Sequence, residues 1–305
     1  MFRVWRCRTV GHMKSKRQRL KEWVQRHTTH ALYVRLLYYY TVVVKLHRVP
    51  ELLNLRNPKN WNAKLNYLKV HIDRLIPDAH LYADKLTVRD YVAEAIGDDC
   101  LVPLLGSWET AEEIEWSSLP DSFVLKTNHG SGFNVIVRDR SELDVDRVTD
   151  QLNSWLEIDY SLMGGEKHYR RIPRRVLAEE LLGSGVSDVP DYKFYCFDGK
   201  PGFVEVIFDR HSDPWQRFLD MDWNSLPFKG TKALTNRTVE RPAALGQMVS
   251  IAETLAAPFF FVRVDLYEVE ESVFFGELSF IPGGGVSMSP RSWNRKLGDL
   301  IRLPE

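Results

Sequence analysis

The chain is poor in cysteine, in long apolar stretches and in net charge. Its three cysteines, Cys7, Cys100 and Cys196, lie far apart among 305 residues, and no Cys-x-x-Cys pair occurs. This pattern argues against a disulfide framework or a cysteine zinc site, and it favours a reducing compartment. The best apolar stretch, residues 36–44, is nine residues long, far short of the roughly 20 residues that span a bilayer. With no signal-peptide pattern, the sequence predicts a cytoplasmic protein.

Several motifs of phosphate-binding and acyl-transfer enzymes are also missing. The sequence contains no GxxxxGK[ST] P-loop, no visible Ser/His/Asp or Cys/His arrangement and no recognised nucleic-acid-binding module. An apolar content of 44% and a charged content of 27% are ordinary for a globular protein. The chain is therefore expected to form two or three subdomains around a sizeable core.

Basic residues are concentrated near the N-terminus, although the net charge is zero. Residues 1–51 hold 12 of the 41 Lys and Arg residues but only two of the 41 Asp and Glu residues, so the body is acidic. Residues 15–48 are interpreted as one or two amphipathic helices rich in aromatic side chains. Such an arm can pack on its own body or contact an anionic membrane from the cytoplasmic side. Packing is the simpler hypothesis, and nucleic-acid binding is not expected.

One predicted hairpin has a glycine-bearing tip. Alternating residues predict strands over 123–127 and 133–138, with Lys126 at the mouth of the loop 128–132. Glycines let backbone amides approach an anion closely, and a lysine adds a point charge. A short loop of this kind is weak evidence, because most are simple turns. His129 in its centre is interpreted as an exposed loop residue rather than a base.

A second predicted hairpin, residues 191–210, follows the strand VLAEELL. Its first strand places Asp191 and Lys193 on one face, and Phe194 and Cys196 on the other. Two charged residues at this spacing favour a solvated face, whereas Cys196 is expected to face the core.

The most informative stretch, residues 259–285, is predicted to be a hairpin that turns at a polar tip. Folding it places Asp265 opposite Glu277 and Arg263 opposite Ser279. Carboxylates directly across a ladder repel each other, and either a proton or a hard cation relieves that repulsion. Because few oxygens converge here, Mg²⁺ is favoured over Ca²⁺. The alternative is a surface hairpin whose outer face is merely charged.

The order of these segments resembles the ATP-grasp superfamily. The series comprises the lysine strand with its GSG loop, then VLAEELL, PDYKF, VRVDLY and GELSFIPGGG. Three further segments, NPKNWNAKLNYLK, DKLTVRDYV and PDYKFYCFDGKP, are similar to the TupA-like group, which is associated with teichuronopeptide and other bacterial surface-glycan synthesis. The resemblance covers residues 57–303.

The resemblance implies an α+β ATP-grasp fold, in which two α+β subdomains clasp ATP, preceded by a helical N-terminal region. The implied units are a basic helical arm (1–56), a helical region (57–110), a glycine-loop subdomain (111–180) and a metal-binding subdomain (181–305).

The same resemblance implies ATP and Mg²⁺ as cofactors. It implies nucleotide binding for nine positions: Arg89, Lys126, Gly130, Ser131, Gly132, Glu179, Glu180, Leu182 and Asp191. Lys126 matches the phosphate-binding lysine, and Asp191 the acidic ribose ligand. Glu179 and Leu182 match a hinge whose main chain pairs with adenine, so substituting their side chains should have only a mild effect on nucleotide binding. Arg89 stands where a second phosphate-binding lysine is common, and arginine keeps its charge but not its geometry.

The metal and catalytic positions come from the last two hairpins. Asp265 and Glu277 match the magnesium carboxylates, and Ser279 replaces the asparagine that is the usual third ligand. Arg263 matches the arginine that steadies the transferred phosphoryl group. Lys193 is assigned to the phosphates or the acceptor substrate.

The implied activity is that of an ATP-dependent carboxylate–amine ligase that acts through an acyl phosphate. Its substrates would be carboxylate- and amine-bearing glycans or amino acids, in the synthesis of a capsule-like surface polysaccharide. Two alternatives stay open: a kinase that phosphorylates a glycan hydroxyl, and a nucleotide-binding subunit without turnover. The acceptor pocket is expected between the loops 163–175 and 286–295.

Overall fold

A computed structural model of the chain describes residues 16–183, 189–209, 213–227, 237–286 and 291–304. Three sequence-based predictions lie partly outside these residues. They are the start of the basic arm (1–15), the turn that the sequence predicts after VLAEELL at 183–188, and the middle of the loop 286–295.

The N-terminal arm is two helices packed on the body, as the simpler hypothesis states. Helix α1 spans Lys16–His27, and α2 spans His30–Tyr40 before a π-helical turn at Thr41–Lys45. One face of α2 is buried, and its Tyr33 hydroxyl donates to the Leu162 carbonyl at 2.8 Å. The arm is therefore tied to the short helix at Ser161–Gly164.

Three helices precede the sheets: α3 (Trp61–Leu75), α4 (Ala79–Ala83) and α5 (Val88–Ile96). Asn60 caps α3 by accepting a hydrogen bond from the Ala63 amide at 2.8 Å. The pattern of DKLTVRDYVAEAI predicts a helix that begins near Asp84, and α5 begins at Val88. The Asp84 carboxylate still accepts from the Leu86 amide at 2.9 Å, as a capping residue does, and from the Asn128 side chain at 2.8 Å. Asp84 thus ties the start of α5 to the glycine loop.

The first sheet is antiparallel and has the order β1-β4-β2-β3. Its strands are β1 (Leu104–Trp108), β2 (Phe123–Thr127), β3 (Asn134–Val137) and β4 (Val176–Glu180). Helix α6 (Val145–Leu156) packs on it through an apolar face, and the short α7 (Ser161–Gly164) follows. The composition of the acidic stretch 109–115 predicts a helix, but the stretch forms only a short 3₁₀ turn at Ala111–Glu113.

The second sheet is also antiparallel, with the order β7-β6-β5-β8-β9. Its strands are β5 (Asp191–Phe197), β6 (Lys200–Phe208), β7 (Trp215–Leu219), β8 (Phe261–Val269) and β9 (Ser272–Ser279). Helix α8 (Leu245–Ala256) and the earlier α3 and α5 bury its apolar face in the largest core. Helix α9 (Arg291–Leu300) packs on α3. Helices beside two antiparallel sheets confirm the α+β class.

The β8–β9 hairpin has the predicted register. Asp265 pairs with Glu277 and Arg263 with Ser279, while a bulge shifts the pairing after Asp265. Gly276 is required at the bulge, because a Cβ there would lie 2.9 Å from the Tyr267 ring and 3.1 Å from the Asp265 carbonyl oxygen. The hairpin therefore brings the two carboxylates to neighbouring positions through backbone pairing alone.

None of the described helices combines the length and the apolar character that crossing a membrane requires.

Candidate functional site

A cleft of about 190 Å³ lies between the two sheets. Most of the predicted nucleotide and metal residues line it: Lys126, Gly130, Ser131, Gly132, Glu179, Glu180, Leu182, Asp191, Asp265 and Glu277. Its wall also carries apolar side chains beside the strand end at Glu180–Leu182, among them Val102, Val124, Ile136 and Val189. The cleft thus has an apolar end suited to a flat base and a charged end suited to phosphates.

Four predicted residues, Arg89, Lys193, Arg263 and Ser279, are not on this wall among the residues that the structure describes. Two of them, Lys193 and Arg263, are buried behind the wall and hold its carboxylates.

Lys85 is a residue of the cleft that sequence reasoning missed. It lies on the wall, and its Nζ atom donates to the Gly130 carbonyl at 2.5 Å, at the start of the glycine loop. Burial lowers the pKa of Lys85, and the Glu277 carboxylate opposes this shift. The DKLTVR segment contains both Lys85 and Arg89, so the signal was present, but sequence alone does not say which cation faces the cleft.

Packing shapes the glycine loop. A Cβ on Gly130 would lie 2.8 Å from the Tyr160 ring, and Gly132 has φ +81°, a left-handed conformation that favours glycine. Asn128 anchors the other side, since its side chain accepts from the Arg175 amide at 2.8 Å. The loop is therefore held open toward the cleft.

His129 is buried, which corrects its interpretation as an exposed loop residue. Only 1% of it is accessible, and its Nε2 atom lies 3.2 Å from the Ile158 carbonyl. Burial lowers its pKa to about 4, so the ring is neutral near pH 7. It supports the loop and faces the 156–160 segment, a tertiary contact that local sequence does not reveal.

Glu179 organises the cations at the phosphate end. Its carboxylate forms an ion pair with Lys126 and lies 3.4 Å from Arg89. Arg89 also donates to the Val102 carbonyl at 2.9 Å, which holds it behind β4. The Glu179 side chain thus has a structural task beyond the main-chain role that the family resemblance implies.

A network of buried charges lies under the β8–β9 hairpin. Arg263 donates to Asp265 at 2.6 and 2.7 Å and to Glu277 at 2.8 Å, so one guanidinium bridges both carboxylates. Lys193 forms ion pairs with Asp265 and, at 2.7 Å, with Asp191. The repulsion that the register predicts is therefore relieved by side-chain cations.

Asp191 and Lys193 are 1% and 5% exposed, so the prediction of a solvated face is wrong. The reason is that β8 pairs alongside β5 and places Asp265 directly opposite Lys193, so the charged side chains on this face pair with one another. Burial lowers the pKa of Lys193, but Asp191 and Asp265 more than offset this effect and raise it. Cys196, on the opposite face, is buried as predicted.

Asp265 and Glu277 are suitable ligands for a divalent cation. Burial raises the pKa of Asp265 to about 6 although Arg263 and Lys193 oppose the shift, and Glu277 lies beside it on the wall. Across the described residues, no group of three or more His, Cys, Asp or Glu side chains is arranged to hold a metal ion. Two carboxylates fit Mg²⁺, which takes one or two of them and completes its octahedron with phosphate oxygens and water.

The family model described as TupA-like ATPgrasp matches residues 63–302. No curated protein sequence matches the chain.

Three similar solved structures cover most of the chain. The D-alanine–D-alanine ligase of Bacillus anthracis complexed with ATP has 16% identity and a TM-score of 0.43, and the match covers 73% of this chain and 64% of that one. The ATP-grasp ligase PsnB complexed with a minimal precursor has 13% identity and a TM-score of 0.39, with coverages of 74% and 61%. A RimK domain ATP-grasp protein of Sphaerobacter thermophilus has 13% identity and a TM-score of 0.38, with coverages of 73% and 66%. The chain thus spans less than two thirds of the length of each.

Proposed function

Because the chain belongs to the TupA-like ATP-grasp family, we propose that it is an ATP-dependent carboxylate–amine ligase that works through an acyl phosphate. The observation that carries the proposal is one cleft lined by a glycine loop, two lysines and two adjacent carboxylates. Phosphoryl transfer to a carboxylate requires that the substrate carboxylate and the γ-phosphate of ATP, both anions, be held in line. These residues supply the positive charge and the metal ligands for that task.

The proposed reaction has two steps. A carboxylate oxygen of the first substrate attacks the γ-phosphorus of ATP, and ADP leaves with the electrons of the broken P–O bond. The amine of the second substrate then attacks the acyl carbon, inorganic phosphate leaves, and the amine loses a proton to give the amide. Magnesium held by Asp265 and Glu277 would neutralise phosphate charge when bound.

Each part of the cleft has a proposed role. The backbone of Glu180 and Leu182 pairs with the adenine edge beside the apolar wall, and Asp191 binds the ribose. Lys126 and the loop Gly130–Gly132 hold the outer phosphates. We assign the second phosphate-binding cation to Lys85 rather than Arg89, because Lys85 lies on the wall and Arg89 does not. Arg263 steadies the transferred phosphoryl group from behind the carboxylates.

From the resemblance to the TupA-like group we also propose a role in bacterial surface-polysaccharide synthesis, of the teichuronopeptide or capsule type, in the cytoplasm. The test is to incubate the protein with ATP and Mg²⁺ and with panels of uronates and amino acids, measuring ADP and phosphate. Release of both together with an amide supports the ligase. ADP with a phosphate ester and no free phosphate makes the protein a kinase, and the absence of ADP in every panel contradicts an enzymatic role.

The arm has an exposed apolar stripe that favours a peripheral contact with an anionic membrane. Leu32, Leu36 and Tyr40 on α2, and Val43 in the π-helical turn that follows, recur at helical spacing, and all are more than one third exposed. Exposed basic residues flank them: Lys16, Arg19, Arg26, Lys45 and Arg48. A basic helix with an apolar face binds an anionic interface through burial of its apolar side chains and through electrostatic attraction, which contributes about 1 kcal/mol per Lys or Arg near the surface. We therefore assign this stripe to an anionic lipid surface.

The double substitution L32E/L36E is expected to abolish co-sedimentation with phosphatidylglycerol vesicles at low salt, because it puts two like charges against the lipid. ATP turnover should be unchanged. The matched control is V145E/L300E, which alters two exposed apolar residues outside the arm and should bind vesicles like the native protein. Failure of the native protein to bind, or equal binding by L32E/L36E, removes the membrane proposal. If, in the absence of vesicles, L32E/L36E has a smaller oligomeric size than the native protein, the stripe is instead a contact with a second copy of the chain.

A further inference from the structure

The glycine loop of the nucleotide cleft packs on an aromatic side chain that is not itself on the cleft wall. Tyr160, between α6 and α7, is half-buried, and a Cβ on Gly130 would lie only 2.8 Å from its ring. The same ring meets Phe133, at the end of the loop, edge to face with centroids 5.7 Å apart. Burial raises the pKa of the Tyr160 hydroxyl, and hydrogen bonds with the backbone and side chain of Ser131 oppose this shift. Tyr160 therefore contacts the loop along its length.

The loop needs support of this kind because its glycines do not fix their own conformation. Glycine loses more conformational freedom than any other residue when it is ordered, and a Cβ on Gly132 would meet no atom within 4 Å. Gly130 is restrained in two ways. Lys85 donates to its carbonyl at 2.5 Å, and the Tyr160 ring packs where a side chain would otherwise stand. These contacts restrict the loop before any phosphate binds.

The preceding residue, Asp159, holds Tyr160 in place. Its carboxylate accepts from the Ser161 amide at 3.0 Å, which fixes the backbone on both sides of Tyr160. The same carboxylate accepts from Arg170 through Nε at 3.1 Å and through Nη2 at 3.0 Å. A guanidinium that donates twice to one carboxylate sets a defined orientation as well as adding energy. The position of Tyr160 thus depends on Arg170.

Arg170 also joins this segment to the N-terminal arm. Its Nη2 atom donates to the Gln25 side chain on α1 at 2.7 Å, and a groove of about 340 Å³ lies between α1 and the segment on which Asp159 and Arg170 lie. Helix α2 supplies a second connection, since Tyr33 donates to the Leu162 carbonyl at 2.8 Å. Hydrogen bonds therefore lead from the arm to the residue beside Tyr160.

We propose that Tyr160 is a positioning residue for the glycine loop, and that Arg170 makes this positioning depend on the N-terminal arm. The inference rests on the nucleotide cleft of the proposed function, and it adds a regulatory role for the arm. With Tyr160 in place, the loop amides are already arranged for the outer phosphates, so ATP does not have to order them on binding. A displaced arm releases Arg170 and Asp159, and the affinity for ATP falls.

Titration calorimetry of the full-length protein with ATP and with AMP, both with Mg²⁺ and without acceptor substrates, tests the role of Tyr160. Tyr160→Leu should weaken ATP binding by about tenfold, which corresponds to ordering roughly one loop residue on binding. AMP binding should barely change, because AMP lacks the outer phosphates. Tyr160→Phe should restore most of the ATP affinity, since it keeps the ring against Gly130.

The same titrations test the connection to the arm. Arg170→Gln should weaken ATP binding by about threefold, the usual scale for an exposed ion pair. Gln25→Ala should act in the same direction, and the double variant Q25A/R170Q should bind ATP like Arg170→Gln alone, because both changes remove the same hydrogen bond. The matched control is Arg171→Gln, since Arg171 lies 3.8 Å from the exposed Asp78 and its variant should bind ATP like the native protein.

Unchanged ATP affinity in Tyr160→Leu, or equal losses for ATP and AMP, overturns the positioning role. If Arg170→Gln binds ATP like Arg171→Gln, the arm does not act on the loop. Neither result affects the ligase proposal, which is judged from ADP, phosphate and amide. A native protein that binds ATP but releases no ADP with any substrate contradicts the ligase proposal and leaves the positioning role standing. Absence of ATP binding by the native protein contradicts both.

Discussion

Replacing Glu277 by glutamine is expected to reduce ATP turnover by on the order of a thousandfold, because it removes one of the two carboxylates that would hold the magnesium ion against the phosphates. The fold should persist. The Glu277 side chain is 32% exposed, and glutamine keeps an oxygen that can accept from Arg263. The measurement is ADP release under saturating ATP and Mg²⁺, with circular dichroism to verify folding.

Glu270→Gln is the matched control, since Glu270 lies exposed at the tip of the same hairpin and its variant should turn over normally. Asp265→Asn should also lose turnover, but it is the less informative variant because Asp265 is buried between Arg263 and Lys193. Full activity of Glu277→Gln would show that this carboxylate is only part of a structural ion network.

Lys126→Ala is expected to weaken ATP binding by about 1.5–3 kcal/mol, the usual range for a charged hydrogen bond, which is roughly tenfold to a hundredfold in Kd. AMP binding should barely change, because AMP lacks the outer phosphates. Calorimetric titration of the native protein and the variant with both nucleotides gives the two differences directly.

Lys85→Met should show the same selective loss of ATP binding, as a second cation of the cleft wall. Lys200→Ala is the control, because Lys200 pairs with Glu253 at 3.1 Å on an exposed edge away from the cleft. If ATP and AMP lose equal affinity in Lys126→Ala, this lysine does not contact the outer phosphates.

The sequence was sufficient to predict the features that depend on local pattern. The alternation of the last hairpin determines its register, so the pairing of Asp265 with Glu277 and of Arg263 with Ser279 was predictable and is confirmed. The family and the α+β class were likewise predictable from the order of the motifs.

The features that depend on tertiary packing were not predictable. Asp191 and Lys193 look solvated in isolation, and Lys193 meets its partner Asp265 only when the distant strand β8 pairs with β5. His129 is covered by the segment near Ile158. Lys85 and Arg89 carry the same charge four residues apart, and the path of the chain around Asp84 decides which of them faces the cleft. Such contacts join segments that are distant in sequence.

The central claim is that a substrate carboxylate is activated by phosphorylation. The most direct measurement uses that substrate with both carboxylate oxygens labelled with ¹⁸O, and follows the label by mass spectrometry after one round of ATP-dependent coupling. An acyl phosphate predicts one labelled oxygen in each inorganic phosphate released and one in the amide product. Unlabelled phosphate, or label that stays entirely in a phosphorylated product with no amide, would contradict the claim.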